Sequence, residues 1–147
     1  MPFRFSLESV LHFRKSVEEA ERATLYQIAQ AIAGVQQEMA KLDAQGHALR
    51  ERRDQELRKG LAAADLREWT EKEENLVRTA NWLKEKLQQL EISRQKQLVV
   101  FQNAQRDREL LSRVREQRYR VYQLAEARNE QKQIDDLFLV QLMRTKK

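Results

Sequence analysis

From residue 25 onward, apolar positions recur in alternating steps of three and four: Leu25, Ile28, Ile32, Val35, Met39, Leu42, then Gly46 and Leu49. That rhythm lays a stripe along one side of an α-helix and makes a seam for a second helix. Upstream, Leu7, Leu11 and Val17 fall in a slightly different phase, which predicts a stutter near Glu18 to Glu21. Pro2 is the only proline, so nothing later forces a helix to break. Ser6 is placed to cap the first helix, and Phe5 and Val10 have the spacing of a hydrophobic staple around that cap. The rhythm stops at Lys59-Gly60, a basic last turn followed by a residue that tolerates the left-handed conformation ending helices. Asp65 and Glu68 then have the spacing of a capping box. A second seam follows through Trp69, Leu76, Ala80, Leu83, Leu87, Leu90, Arg94, Gln97 and Phe101. A further phase passes through Leu110, Val114, Val121 and Leu124, and the cluster Leu137-Phe138-Leu139-Val140 comes near the end. The pattern predicts an all-α chain: two long helices, about 6–59 and about 65–142, joined by a turn at about 60–64 into one antiparallel coiled-coil hairpin domain over 1–147.

The two seams test each other. A short turn makes neighbouring helices antiparallel, and folding at Gly60-Leu61 pairs residues whose numbers total about 122. Ile32 then faces Leu90, Val35 faces Leu87, Met39 faces Leu83, Leu42 faces Ala80 and Gly46 faces Leu76. Arg53 meets Trp69, where a guanidinium can stack on the indole. Phe3 lies opposite Tyr119, so helix two overhangs helix one from about Arg120 onward.

Composition narrows the function. Charged residues make up 35% of the chain, with only 3 Gly and 1 Pro, which suits a long helical seam better than a loop-rich globular core. The net charge of +5 comes from 28 basic residues interleaved with 23 acidic ones, the arrangement of a solvated helix surface rather than a basic nucleic-acid face. No segment approaches the ~20 apolar residues of a membrane span, the start lacks a secretory signal, and a cytoplasmic protein without direct membrane insertion is expected. With no cysteine, thiolate sites are excluded. The chain has no nucleotide-binding glycine loop, and its two histidines, His12 and His47, read as solvated surface residues rather than metal ligands. Acidic pairs such as Glu18-Glu19, Glu73-Glu74 and Asp135-Asp136 are frequent, but catalytic carboxylates need a pocket that shifts their pKa. A two-helix rod offers none, so neither an enzyme nor a cofactor is expected.

Two features invite partners. Six arginines fall between Arg106 and Arg120, with Asp107, Glu109 and Glu116 mixed in. The plain reading is a solvated face; docking to an acidic protein surface comes second, and DNA binding third, because a basic helix reads DNA from a dimer fork. Trp82 falls beside the seam and faces outward, a candidate anchor. With Leu83, Leu76 and Leu42 it makes up a candidate binding face near the turn.

The opening Phe3-x-Phe5-x-Leu7-x-x-Val10-Leu11-x-x-Arg14, followed by a long charged helix, resembles the flagellar export component family FliJ. The closing stretch Glu126-x-Arg128-x-Glu130-Gln131-Lys132-x-Ile134-Asp135-Asp136 is similar to that family's end. Lys72-Glu73 departs from it, where an aromatic or aliphatic residue is expected after the turn. The resemblance implies a non-enzymatic stalk and adaptor of the bacterial flagellar type III export apparatus, similar to the central stalk of rotary ATPases. Its implied partners are the export ATPase hexamer, the cytoplasmic part of the export gate and export chaperones. An unpaired helix rarely keeps apolar residues unless something covers them. By resemblance, the central hole of the ATPase ring covers the overhang, with Arg128, Lys132, Asp135 and Asp136 orienting it and Ile134 and Leu137 supplying contact area. Alternatives are the equivalent stalk of a virulence injectisome or a basic helical nucleic-acid binder. Alone, the hairpin is expected to be monomeric.

Overall fold

A computed structural model describes residues 2–60 and 62–145. Helix α1 runs Glu8–Lys59 and helix α2 runs Ala63–Thr145, and among the described residues there is no strand. The two helices pack against each other as the antiparallel hairpin that the paired seams predict.

The helix ends differ from the expectation in instructive ways. The first intrahelical bond of α1 is donated by the Leu11 amide to the Leu7 carbonyl at 2.9 Å, so the chain enters the helix one residue later than a Ser6 cap requires. Ser6 instead accepts a hydrogen bond from Arg118 Nη1 at 2.9 Å. The staple shifts with it: Val10 is exposed, whereas Phe5 and Leu11 are buried. At the far end Gly60 has φ +86°, the left-handed residue anticipated there. Leu61, the other half of the fold point, lies outside the described residues. Helix α2 starts earlier than the capping box suggests, because the Leu66 amide donates to the Ala62 carbonyl at 3.2 Å. Asp65 therefore sits inside the first turn, where its carboxylate opposes the positive end of the helix.

The chain divides into two compact units, one of residues 20–101 and the other of residues 1–19 with 102–147. The unit of residues 20–101 contains the turn. Its core is Ile32, Val35 and Leu83, with Leu25, Ile28, Met39, Leu42, Leu76, Ala80, Leu87 and Leu90 half-buried alongside. Gly46 and Leu76 line one hollow of about 360 Å³, as the pairing requires, but a Cβ at Gly46 would meet no atom within 4 Å. Leu76 thus does not fill the space left by the missing side chain. Arg53 does not stack on Trp69. Its Nη1 donates to Glu73 Oε1 at 2.6 Å, and Lys72 lies over the Trp69 ring at 5.3 Å. A charge-assisted bond to a carboxylate outweighs a cation–π contact when both are within reach.

The other unit is held by Phe5, Leu11 and Ala104, all buried, and by a row of ion pairs. Phe3 meets Tyr119 edge-on with ring centroids 5.1 Å apart and Tyr122 at 5.5 Å. Desolvation there raises the Tyr122 hydroxyl pKa from its ordinary value, with Glu126 adding to it.

Candidate partner-binding surfaces

The same rhythm that builds the seam decides which side chains remain free. In α1 the covered positions Leu11, Arg14, Glu18, Glu21, Leu25, Ile28 and Ile32 keep the three-four alternation without interruption. Glu18 and Glu21 occupy seam positions themselves and carry the alternation through the expected stutter, with Val17 half-buried beside Glu18. In α2 the covered positions continue from Phe101 through Ala104, Arg108 and Leu111, then Tyr122. Of the expected further phase, Leu110, Val121 and Leu124 are exposed and Val114 is half-buried. Following the nearest apolar residue misled the count; continuing it through polar residues locates the seam.

The polar seam positions find each other. Glu18 is only 5% exposed, and Arg108 grips it with two bonds, Nε to Oε2 at 2.7 Å and Nη2 to Oε1 at 3.2 Å. A planar guanidinium matches a carboxylate in this two-pronged way. The hydrogen bond to Glu18 raises the Arg108 pKa above an already high ordinary value, against the opposing effect of burial. A raised value means stability present below the unfolded pKa and lost only above it, so this contribution is constant across all physiological pH. Gln97 Nε2 similarly donates to the Glu21 carboxylate and, at 3.2 Å, to the Glu21 carbonyl. Arg108→Ala should destabilise the chain by about 1.5–3 kcal/mol, because it removes two charge-assisted hydrogen bonds from a buried carboxylate. Replacing both Glu18 and Arg108 with Leu should recover most of that loss. Urea denaturation of Glu18→Leu, Arg108→Leu and the double variant checks this, and a double variant no better than the singles would show that the pair is not a unit.

The arginine run is divided accordingly. Arg108 holds Glu18; Arg115 Nε donates to Glu8 Oε2 at 2.9 Å and its guanidinium covers the Phe3 ring at 5.7 Å. Arg118 covers Phe5 at 5.4 Å, and Asp107 accepts from Arg14 at 3.4 Å. Half of the run thus fastens the amino-terminal segment to α2 and is not a solvated face.

Of the face near the turn, Trp82 is 58% exposed, with Lys86 Nζ 5.1 Å from its ring centroid. Leu83, its neighbour, is 6% exposed and belongs to the core, so it offers no outward contact. Leu76 and Leu42 are half-buried; both border the hollow at Gly46 and a second one lined by Gln45, Leu49, Lys72, Asn75 and Thr79. The structure brings Leu42 and Leu76 together and leaves Trp82 as the only large exposed side chain of the four. His47 lies 3.3 Å from Glu51 on the surface, and no cluster of metal-binding side chains occurs among the described residues.

At the overhang, every described residue from Ala127 to Thr145 is exposed. Arg128, Lys132, Asp135 and Asp136 are all on the surface, and Asp135 accepts from Gln131 at 3.1 Å. Ile134 and Leu137 are exposed with Phe138, Leu139, Val140, Leu142 and Met143. At 3.6 residues per turn, the four consecutive residues Leu137 to Val140 already point to all sides of the helix. A helix that is apolar all round is normally enclosed.

The family model for the Flagellar FliJ protein matches residues 3–147. The chain belongs to the FliJ family. FliJ-family proteins are non-enzymatic components related to flagellar protein export, and the match spans both the amino-terminal strap and the overhang. No curated protein and no solved structure shows a significant match. In this FliJ-family chain Glu73 is half-buried on the seam, where it forms an ion pair with Arg53.

Proposed function

We propose that this chain is the stalk and adaptor of the flagellar type III export apparatus, joining the export ATPase hexamer to the cytoplasmic part of the export gate. The observation that carries the reading is the overhang: a single helix, apolar on all sides over its last turns, in a chain of the FliJ family. A groove would cover one side of such a helix, whereas the central hole of a ring covers all of them. Ile134 and Leu137 supply contact area to the ring, and Arg128, Lys132, Asp135 and Asp136 orient the helix within it. Nearer the turn, Trp82 anchors the gate or an export chaperone, with Leu42 and Leu76 beside it. No helix among the described residues is long and apolar enough to cross a membrane. The chain then acts at the cytoplasmic face of the basal body, as a monomeric hairpin before it joins the apparatus. The match to a flagellar family favours this system over an injectisome. A pull-down with the full chain should retain both the purified export ATPase and the cytoplasmic region of the gate. Retention of neither would overturn the proposal.

A further inference from the structure

The arginines that do not fasten the amino-terminal segment form a pattern of their own. Arg106, Arg113 and Arg120 are spaced by seven residues, and all three are exposed. At 3.6 residues per turn they fall on one stripe of α2, roughly half a turn from Ala104, Arg108, Leu111 and Tyr122, which are the covered positions. Among the described residues, none of the three has a carboxylate within ion-pair distance, although Glu109 and Glu116 lie four residues before Arg113 and Arg120. On the same stripe Leu110 is 66% exposed and Leu124 59%. The stripe therefore presents a guanidinium about every 10 Å along the helix axis, with Leu110 between the first two and Leu124 one turn past the third.

We propose that this stripe is a docking surface for an α-helix of another protein that carries acidic residues at seven-residue spacing and apolar residues between them. Three observations select this occupant. The seven-residue repeat is the period at which two packed helices present the same face to each other, so one acid per heptad meets one arginine per heptad. Leu110 and Leu124 need apolar counterparts, which a phosphate backbone does not supply. Glu109 and Glu116 flank the arginines and repel a uniformly anionic partner, whereas a helix with one acid per heptad can set it against an arginine and keep uncharged residues beside the glutamates. The stripe includes neither Trp82 nor any residue assigned to the ring, and the inference stands whether or not the proposed stalk function holds.

The test uses the full chain and a helix-stapled three-heptad peptide with Glu at every seventh position and Leu on the same face. A scrambled peptide of equal composition, a duplex DNA and anionic phosphatidylserine vesicles serve as competitors. The chain should bind the patterned peptide about tenfold or more tightly than the scrambled one by fluorescence anisotropy. A variant carrying Arg106→Glu, Arg113→Glu and Arg120→Glu should lose that binding and instead accept the peptide with Lys in place of Glu. Because all three positions are solvent-exposed, the variant should retain its circular dichroism, and the exchanged peptide preference shows that it is folded and competent. Equal binding of patterned and scrambled peptides overturns the proposal, as does tighter binding of DNA or vesicles. Failure of the charge-reversed variant to exchange its preference overturns it as well.

Discussion

A chain ending after Glu126 should lose the export ATPase altogether, with affinity falling on the order of 100-fold or more, while its two helices remain paired. The described residues removed, 127–145, are exposed throughout and contribute nothing to the buried seam. The position of the cut matters. Tyr122 packs on Phe3, so a cut at Val121 would strip a seam residue and mix a folding defect into the binding defect. Ending after Glu126 keeps the Phe3, Tyr119 and Tyr122 cluster together with the Arg115–Glu8 ion pair and the Arg118–Ser6 hydrogen bond. Circular dichroism should then report a loss of helix in proportion to the residues removed, with little change in the melting temperature. Binding to the gate region through the face near the turn should survive. If the truncated chain binds and stimulates the ATPase as the full chain does, the overhang is not the ring-binding element.

Trp82→Ala and Leu83→Ala, adjacent in sequence, should have opposite consequences. Leu83 is one of the few buried side chains in the unit of residues 20–101, on the same seam as Ile32 and Val35. Its truncation removes apolar burial and leaves a gap, at a cost of about 2–4 kcal/mol. Denaturant unfolding should show this as a lower midpoint. Trp82 projects into solvent, against little more than the Lys86 side chain. Its removal should shift stability by no more than about 0.5 kcal/mol. An aromatic anchor carries a large share of an interface's energy, so the same change should weaken binding to the gate or a chaperone by roughly tenfold or more. Were Trp82→Ala to unfold the protein, Trp82 would be structural and the proposed anchor lost. Were it to leave both stability and every partner unaffected, the face near the turn would have no role.

Much of this was legible in the amino-acid sequence. Two three-four rhythms separated by Lys59-Gly60 determine a helical hairpin, because the period of apolar residues sets the face each helix buries and a left-handed glycine ends the first. Part of the register followed as well: Phe3 on Tyr119, Arg14 on Asp107 and Arg22 over Phe101 each fall within a residue of the pairing read from the seams, whereas Glu18 with Arg108, Arg53 with Glu73 and Glu21 with Gln97 reach about one turn away from it. So did the overhang, since the register leaves the end of α2 without a partner. Three-dimensional packing decided the assignments of polar residues. Hydrophobic periodicity cannot tell that Glu18 and Arg108 sit in the seam, because each is tolerable there only when the other is opposite. The same dependence on a partner across the seam sends Arg53 to Glu73 rather than Trp69, and divides the arginine run into those that fasten the strap and those that face solvent. It also separates Leu83 from Trp82: neighbours in sequence point about 100° apart on a helix, and only the position of the other helix decides which of them is covered.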